Sequence, residues 1–287
     1  MSLSVELGLV LAVLTAFGSV AGFLYKFRGA REAPAVELRR PVQSTVALFR
    51  SPVYSLGILI ALGSWGFHVG ALALAPISLV QCVIAGGLVL LTVVADRLFG
   101  IEVTRREWWG VGLTALGLAF LAATLDGDAG SAHSHYDPGT LAVFLVIVGC
   151  AGLALCPWSR RPALLAVSAG LLWAASDTSI KALSSHLGAL GFGVLLHPLA
   201  LVILVASLIG LLISAKSLQL GEAVPMIALT SAAANLTTIA AGPIVFSEPL
   251  PASRLGLVVR MLAFVLVIVA AALTPPPAPS AEPTATP

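Results

Sequence analysis

The chain has 287 residues, 59% of them hydrophobic and only 10% charged, at a mean hydropathy of +1.04. A soluble domain of this length needs far more polar surface to cover its core, so the composition points to a bilayer. The formal net charge of +2 leaves no global field for nucleic acid.

Apolar runs of spanning length occur about nine times, at ~20 residues per crossing. In chain order they are 3–25, 52–75, 77–99, 108–125, 140–156, 162–184, 193–215, 222–246 and 255–274. The first is not a cleavable leader, because its basic residues follow it in "YKFRGAR" and no small-residue cleavage pattern precedes them. The connection 26–51 is too charged to cross, and its stretch "PAVELRRPVQSTVALF" reads either as a short interfacial segment or as a plain basic loop. Spans two and three are separated only by "APIS", so a tight turn reverses the chain at Pro76. The fifth run is the shortest. The tail 275–287, "PPPAPSAEPTATP", is Pro-rich, polar and expected to be disordered. Cys82, Cys150 and Cys156 lie in or beside apolar runs with no CxxC or His-paired spacing, as buried small hydrophobes do.

Charge sets the expected orientation. Lys26, Arg28, Arg31, Arg39, Arg40 and Arg50 lie in the first connection, Arg97, Arg105 and Arg106 in or beside the third, Arg160 and Arg161 in the fifth, and Lys216 in the seventh. These are 12 of the 15 basic residues, all at odd connections, whereas the even connection 126–139, "DGDAGSAHSHYDPG", has none. The positive-inside rule then places the N-terminus outside and the C-terminus in the cytoplasm of a cell (plasma) membrane.

An internal repeat is visible at an offset of 146 residues. "GIEVTRREWWGVGL" (100–113) lies on "FSEPLPASRLGLVV" (246–259) without gaps, pairing Glu102 with Glu248 and Gly110 with Gly256. Leu72 with Leu218, Leu74 with Leu220, Thr92 with Thr238 and Ala95 with Ala241 share that offset. The expected fold is therefore an all-α integral membrane protein of about nine transmembrane helices in two inverted repeats. Repeat one is 1–125, including the cytoplasmic connection 26–51; an exterior loop and the linking fifth span fill 126–161; repeat two is 162–274. The single separating span is what inverts the second copy.

The stretch "ALALAPISLVQCVIAGGLVLLTVVADRLFGIEVTRREWWGVGLTALGLAFLAA" resembles the repeat core of the drug/metabolite transporter superfamily, EamA type, and "LQLGEAVPMIALTSAAANLTTIAAGPIVFSEPLPASRLG" is similar to its second copy. The resemblance covers most of 52–125 and 162–274. That family usually carries five spans per repeat, and here the connection 26–51 stands where the second would be. A nine-span arrangement also resembles the NIPA-type magnesium transporters of the same superfamily. The resemblance implies a secondary transporter of a small polar or amphipathic solute, with a divalent cation or a lipid-linked substrate as rival cargo. A non-transporting membrane scaffold or sensor is the rival from another class.

Within the spans, the polar residues are the candidates. On insertion scales an Asp or Lys at a helix centre costs roughly 2.5–3.5 kcal/mol, and such residues commonly mark a pathway. In "LLWAASDTSIKAL" (171–183), Asp177 and Lys181 stand four residues apart, acid first, as a helical ion pair would. Either they neutralise each other, with Lys181 snorkelling outward, or they line a polar cavity. Trp173 lies one turn from Asp177, where a ring stacks on a substrate or simply packs. His68, one turn from Trp65, is either a buried neutral imidazole or a proton carrier. Gln81 reads as interhelical glue or a ligand contact, His197 as a cap before Pro198, and Asn235 as a central amide in need of a partner. Glu102 and Glu248 are most simply turn or helix-end residues. Asp126, Asp128, His133, His135 and Asp137 invite a metal reading, but a flexible loop gives them no rigid frame, so no metal is assigned. Walker A, Rossmann, GxSxG and HExxH patterns are missing, so neither enzymatic activity nor a cofactor is expected. The expected partners are the solute or ion and the lipid bilayer, with a homodimer admissible.

Overall fold

Proline opens most of the long helices among the described residues. The computed structural model describes residues 3–81, 83–84, 135–156, 161–249 and 253–259, with isolated positions at 105, 108–110, 112–113, 116–117, 120, 262–263 and 266. The bulk of the third, fourth and ninth predicted spans, residues 126–134 and the tail lie outside the described residues. We number the helices α1 (Leu3–Glu32), α2 (Pro41–Phe49), α3 (Pro52–Leu74), α4 (Pro138–Ala154), α5 (Pro162–Ser184), α6 (Pro198–Leu220) and α7 (Ala223–Val245). Helices α2 to α6 each begin on Pro, whose missing N–H is an orphan there anyway and whose fixed φ suits the first turn. Ser51 accepts from Tyr54 N–H at 3.3 Å, Asp137 from Thr140 N–H at 2.7 Å and His197 from Leu199 N–H at 3.2 Å, each capping the helix that follows.

No strand occurs among the described residues, and α1, α3, α5, α6 and α7 are long and apolar enough to cross a membrane. Helix α4, at 17 residues, is apolar but shorter. Rows of large apolar side chains face outward, including Leu7, Val10, Leu14 and Phe17 on α1 and Leu201, Leu204 and Leu208 on α6. In water such patches would drive association; in lipid they are solvated. The protein is an all-helical, multi-pass membrane protein.

The largest departures from the expected boundaries are in the first and seventh spans. The first helix runs seven residues past Tyr25, to Glu32, because "KFRGARE" contains no Pro, its charged residues continue a helix readily, and its Gly29 is held against the Tyr54 backbone. Its last two turns thereby carry Lys26 into the packed interior. The helix expected from Gly193 starts instead at Pro198, since Gly191, at φ +51°, and the 3-10 turn Gly191–Leu196 end the preceding connection.

The packing register follows from small residues. On α1, a Cβ added to Gly8, Gly18 or Gly22 would press on Ala75, Ser64 or Ala61 of α3, and one added to Gly29 would meet the Tyr54 backbone. Positions rising along one helix meet positions falling along the other, so α1 and α3 are antiparallel. The same reasoning makes α5 antiparallel to α6, with Trp173 against Gly210 and the Ser176 and Ser207 hydroxyls 3.0 Å apart. It makes α5 parallel to α7, with Gly170 against Thr230 and Ile180 clustered with Ala241. Small residues let backbones approach where lipid supplies no hydrophobic drive between helices.

At one end of the bundle lie Arg28, Arg31, Arg39, Arg40, Arg50, Arg161 and Lys216, all at helix ends or in the α1–α3 connection. That connection is docked by Gln219 at the end of α6. Its Nε2 donates to the Ala30 and Pro34 carbonyls at 2.9 and 3.0 Å, and its Oε1 accepts from Val36 N–H at 2.7 Å. Helix α2 buries Ser44 and Leu48 and exposes Val42, Val46 and Phe49, the build of a short helix lying at an interface.

Candidate functional site

The break after α3 gathers the charged side chains. Ala75 is extended (φ −135°, ψ 160°) and helix resumes at Ile77, so the last carbonyls of α3 and the first N–H groups of the next helix are both left open. A cation meets the first set and an anion the second. Lys181 Nζ, fully buried on α5, donates to the Leu72 and Ala75 carbonyls, each at 2.7 Å. The Glu248 carboxylate accepts from Ile77 N–H at 2.7 Å and Ser78 N–H at 3.3 Å. Both charges sit at the helix end whose dipole favours them.

Glu248 reaches that position because α7 ends in a turn. Ser247 has φ +52°, Glu248 N–H returns to the Gly242 carbonyl at 3.1 Å, and Gly242 lacks the Cβ that would strike both Glu248 and the Ser78 hydroxyl. The turn-residue reading of Glu248 is thus half of its role. The other half joins two segments 171 positions apart.

One turn deeper along α5, Asp177 accepts from two donors. His68 Nε2 on α3 lies 3.0 Å from Oδ1, and Gln81 Nε2 donates to Oδ2 at 3.1 Å. Gln81 is four residues beyond Ile77 yet level with Asp177, so the chain has turned back into the bundle at Pro76. With an ionised carboxylate opposite, the imidazole proton belongs on Nε2. His68 Nδ1 is then a buried atom with no hydrogen-bond partner among the described residues. The Asp177 side chain keeps 18% exposure, against 10% for His68. The carboxylate is thus the more exposed partner of the pair, and one imidazole nitrogen is unused by any described residue.

The i, i+4 ion pair between Asp177 and Lys181 is not formed. The ion pairs among the described residues are Arg28–Glu32, Arg40–Glu37 and His68–Asp177. Each member of the sequence pair is taken by another segment, and neither snorkels.

The other candidates divide. Trp173 is half-buried one turn from Asp177, its ring 5.4 Å from that of Phe23 on α1. Trp65 is 46% exposed and stands on the outer wall, away from the cluster. His197 caps α6 and stacks on His186 with centroids 4.9 Å apart. Asn235 is buried near the middle of α7. Asp137 caps α4, accepting from both the N–H and the hydroxyl of Thr140, and these bonds hold its carboxyl below the usual carboxylate range. No group of three His, Cys, Asp or Glu side chains is placed to hold a metal ion among the described residues; Asp126, Asp128 and His133 lie outside them.

Lys26 was missed altogether. The sequence puts it in a basic loop; the helix carries it inward to 6% exposure, its stem against Gly57. Only the lack of a Pro between Tyr25 and Pro34 could have revealed it. No protein-family model matches the chain, and neither a curated protein nor a solved structure does.

Proposed function

We propose that the protein is a secondary transporter moving a small polar or amphipathic solute by alternating access, built from two inverted repeats of the drug/metabolite transporter, EamA type. The observation that carries this reading is the Asp177 carboxylate, inside the bilayer, bridged to His68 and Gln81 of the opposite half of the chain. A bridge of that kind holds two halves together while it is made and releases them when the carboxylate is protonated or a solute takes its place. The helix directions add support. Helix α3 runs parallel to α5, because His68 pairs with Asp177 and Leu72 with Lys181. Hence α1 runs opposite to α5, and α3 opposite to α6, as first and second members of inverted repeats must. With the basic end in the cytoplasm, the N-terminus is outside.

The test uses the full chain in proteoliposomes with an imposed pH gradient and a panel of amino acids, organic acids, nucleosides and amines. At least one class is expected to move, with a pH profile that Asp177→Asn flattens and a rate that it lowers by about tenfold or more. Folded protein that moves nothing in the panel, or Asp177→Asn with unchanged rate and pH profile, overturns the reading.

A further inference from the structure

Lys26 differs from every other described cation of the protein. The arginines at the basic end are exposed, and Lys181 has backbone carbonyls, but the Lys26 ammonium makes no hydrogen bond or ion pair among the described residues. Its Nζ lies 4.1 Å from the centroid of the Phe23 ring and 5.4 Å from that of Trp173. Side chains on a helix lean toward its N-terminus, so a lysine in the last turns of α1 points into the bundle rather than toward the near headgroups. Phe23, one turn deeper, is where it ends. Two ring faces attract a cation but accept none of the three N–H groups of an ammonium.

The surroundings are not sealed. Phe23, Trp173 and Ser207 are all half-buried, so the ammonium sits beside a partly open strip on the seam between α1 and the α5–α6 pair. Ser176 and Ser207 put hydroxyls one turn along α5 from Trp173. Gly57 and Gly210 supply the room, since a Cβ at either would strike Lys26 or Trp173.

Register makes the position less accidental. Ser64 and Gly210 stand 146 residues apart, the offset of the sequence repeat; Gly18 faces the first and Trp173 the second. Eight residues beyond Gly18 is Lys26, and eight beyond Trp173 is Lys181. The two buried lysines therefore stand at the same spacing from these close contacts. One is closed off by helix-end carbonyls; the other is presented to a seam with aromatic walls.

We infer that Lys26, Phe23 and Trp173 form a binding site for the oxyanion of an amphipathic ligand, a carboxylate or a phosphate on an apolar body. The ammonium pairs with the oxyanion while the rings pack on the neighbouring carbon skeleton. This site is separate from the Asp177 cluster and stands whether or not the protein transports.

The experiment is a titration of the full chain in phosphatidylcholine nanodiscs with acetate, benzoate or inorganic phosphate, at constant ionic strength with chloride, read by tryptophan emission. A saturable change is expected for at least one oxyanion, absent in Trp173→Phe, with apparent affinity weakened by about tenfold or more in Lys26→Met. Where Lys26→Met does not fold, Lys26→Arg keeps the charge and is expected to retain saturation. Phosphatidylglycerol nanodiscs separate the sources: emission already at its end point before any addition identifies a lipid phosphate as the occupant, and an unchanged starting point identifies a soluble anion. No saturable change in either disc, or a change of equal affinity in Lys26→Met, overturns the inference, as does a folded Lys26→Arg chain without response.

Discussion

Lys26 and Lys181 are the two buried lysines among the described residues, and the bundle treats them in opposite ways. Lys181 closes the C-terminal end of α3 through the Leu72 and Ala75 carbonyls, with the Glu248 carboxylate nearby on the facing helix start. Lys26 has aromatic faces and no acceptor among the described residues. The difference lies in the neighbours rather than in the lysines. A chain break beside Lys181 exposes carbonyls that need a donor; Lys26 lies against Gly57, inside the continuous α3, where every carbonyl is already used. A buried charge is structural where the backbone has an unmet need, and is left available for ligand where it has none.

The largest expected effect breaks the satisfied member. Lys181→Met strands two carbonyls and removes the positive charge that faces Glu248, costing about 3–5 kcal/mol, as for a broken buried pair. Denaturant unfolding in detergent measures it, and Lys181→Met with Glu248→Gln should cost less than the sum of the single changes. A cost below about 1 kcal/mol would show that the helix ends are satisfied without the ammonium.

The other member should respond with the opposite sign. Lys26→Met keeps the aliphatic stem on Gly57 and deletes an ammonium that has no acceptor, so stability is expected to rise by about 1 kcal/mol or more. The same unfolding assay decides; a loss as large as that of Lys181→Met would end the comparison. A smaller effect sharpens the location of the seam: Ser176→Ala removes one interhelical hydrogen bond to Ser207 and should cost about 0.6 kcal/mol, the average for such bonds in a bilayer.

The smallest effect comes from a charge satisfied in water. Asp137 is fully exposed and its carboxyl is held low by the Thr140 N–H and hydroxyl. A depressed carboxylate contributes stability that is fully present above its unfolded value and is lost as pH falls through the folded one. Acidification below the ordinary carboxylate range is thus expected to loosen the start of α4, seen as faster amide exchange at Thr140 and Leu141, and Asp137→Asn should remove most of that dependence.

Much of the architecture was legible because it is local. Hydrophobic runs act within a few residues, so the starts of α3, α5 and α7 fall within one residue of the sequence expectation. The Asp177–Lys181 spacing misled for the same reason. Four residues on one helix look like a pair when nothing else is in view, yet each charge finds a stronger partner about a hundred positions away, at His68 and Gln81 or at Leu72 and Ala75. Trp65 and His68 were equivalent by spacing; α3 faces the lipid at one and α5 at the other.

Composition and the order of charges along the chain alone determined that this protein is helical and crosses a membrane several times, because a bilayer demands apolar length and satisfied backbone from every segment that enters it. The tertiary structure decided which helix end each intramembrane charge would serve, since those needs arise only where a distant segment ends or begins: Glu248 at Ile77, Lys181 at Ala75, Lys26 at none.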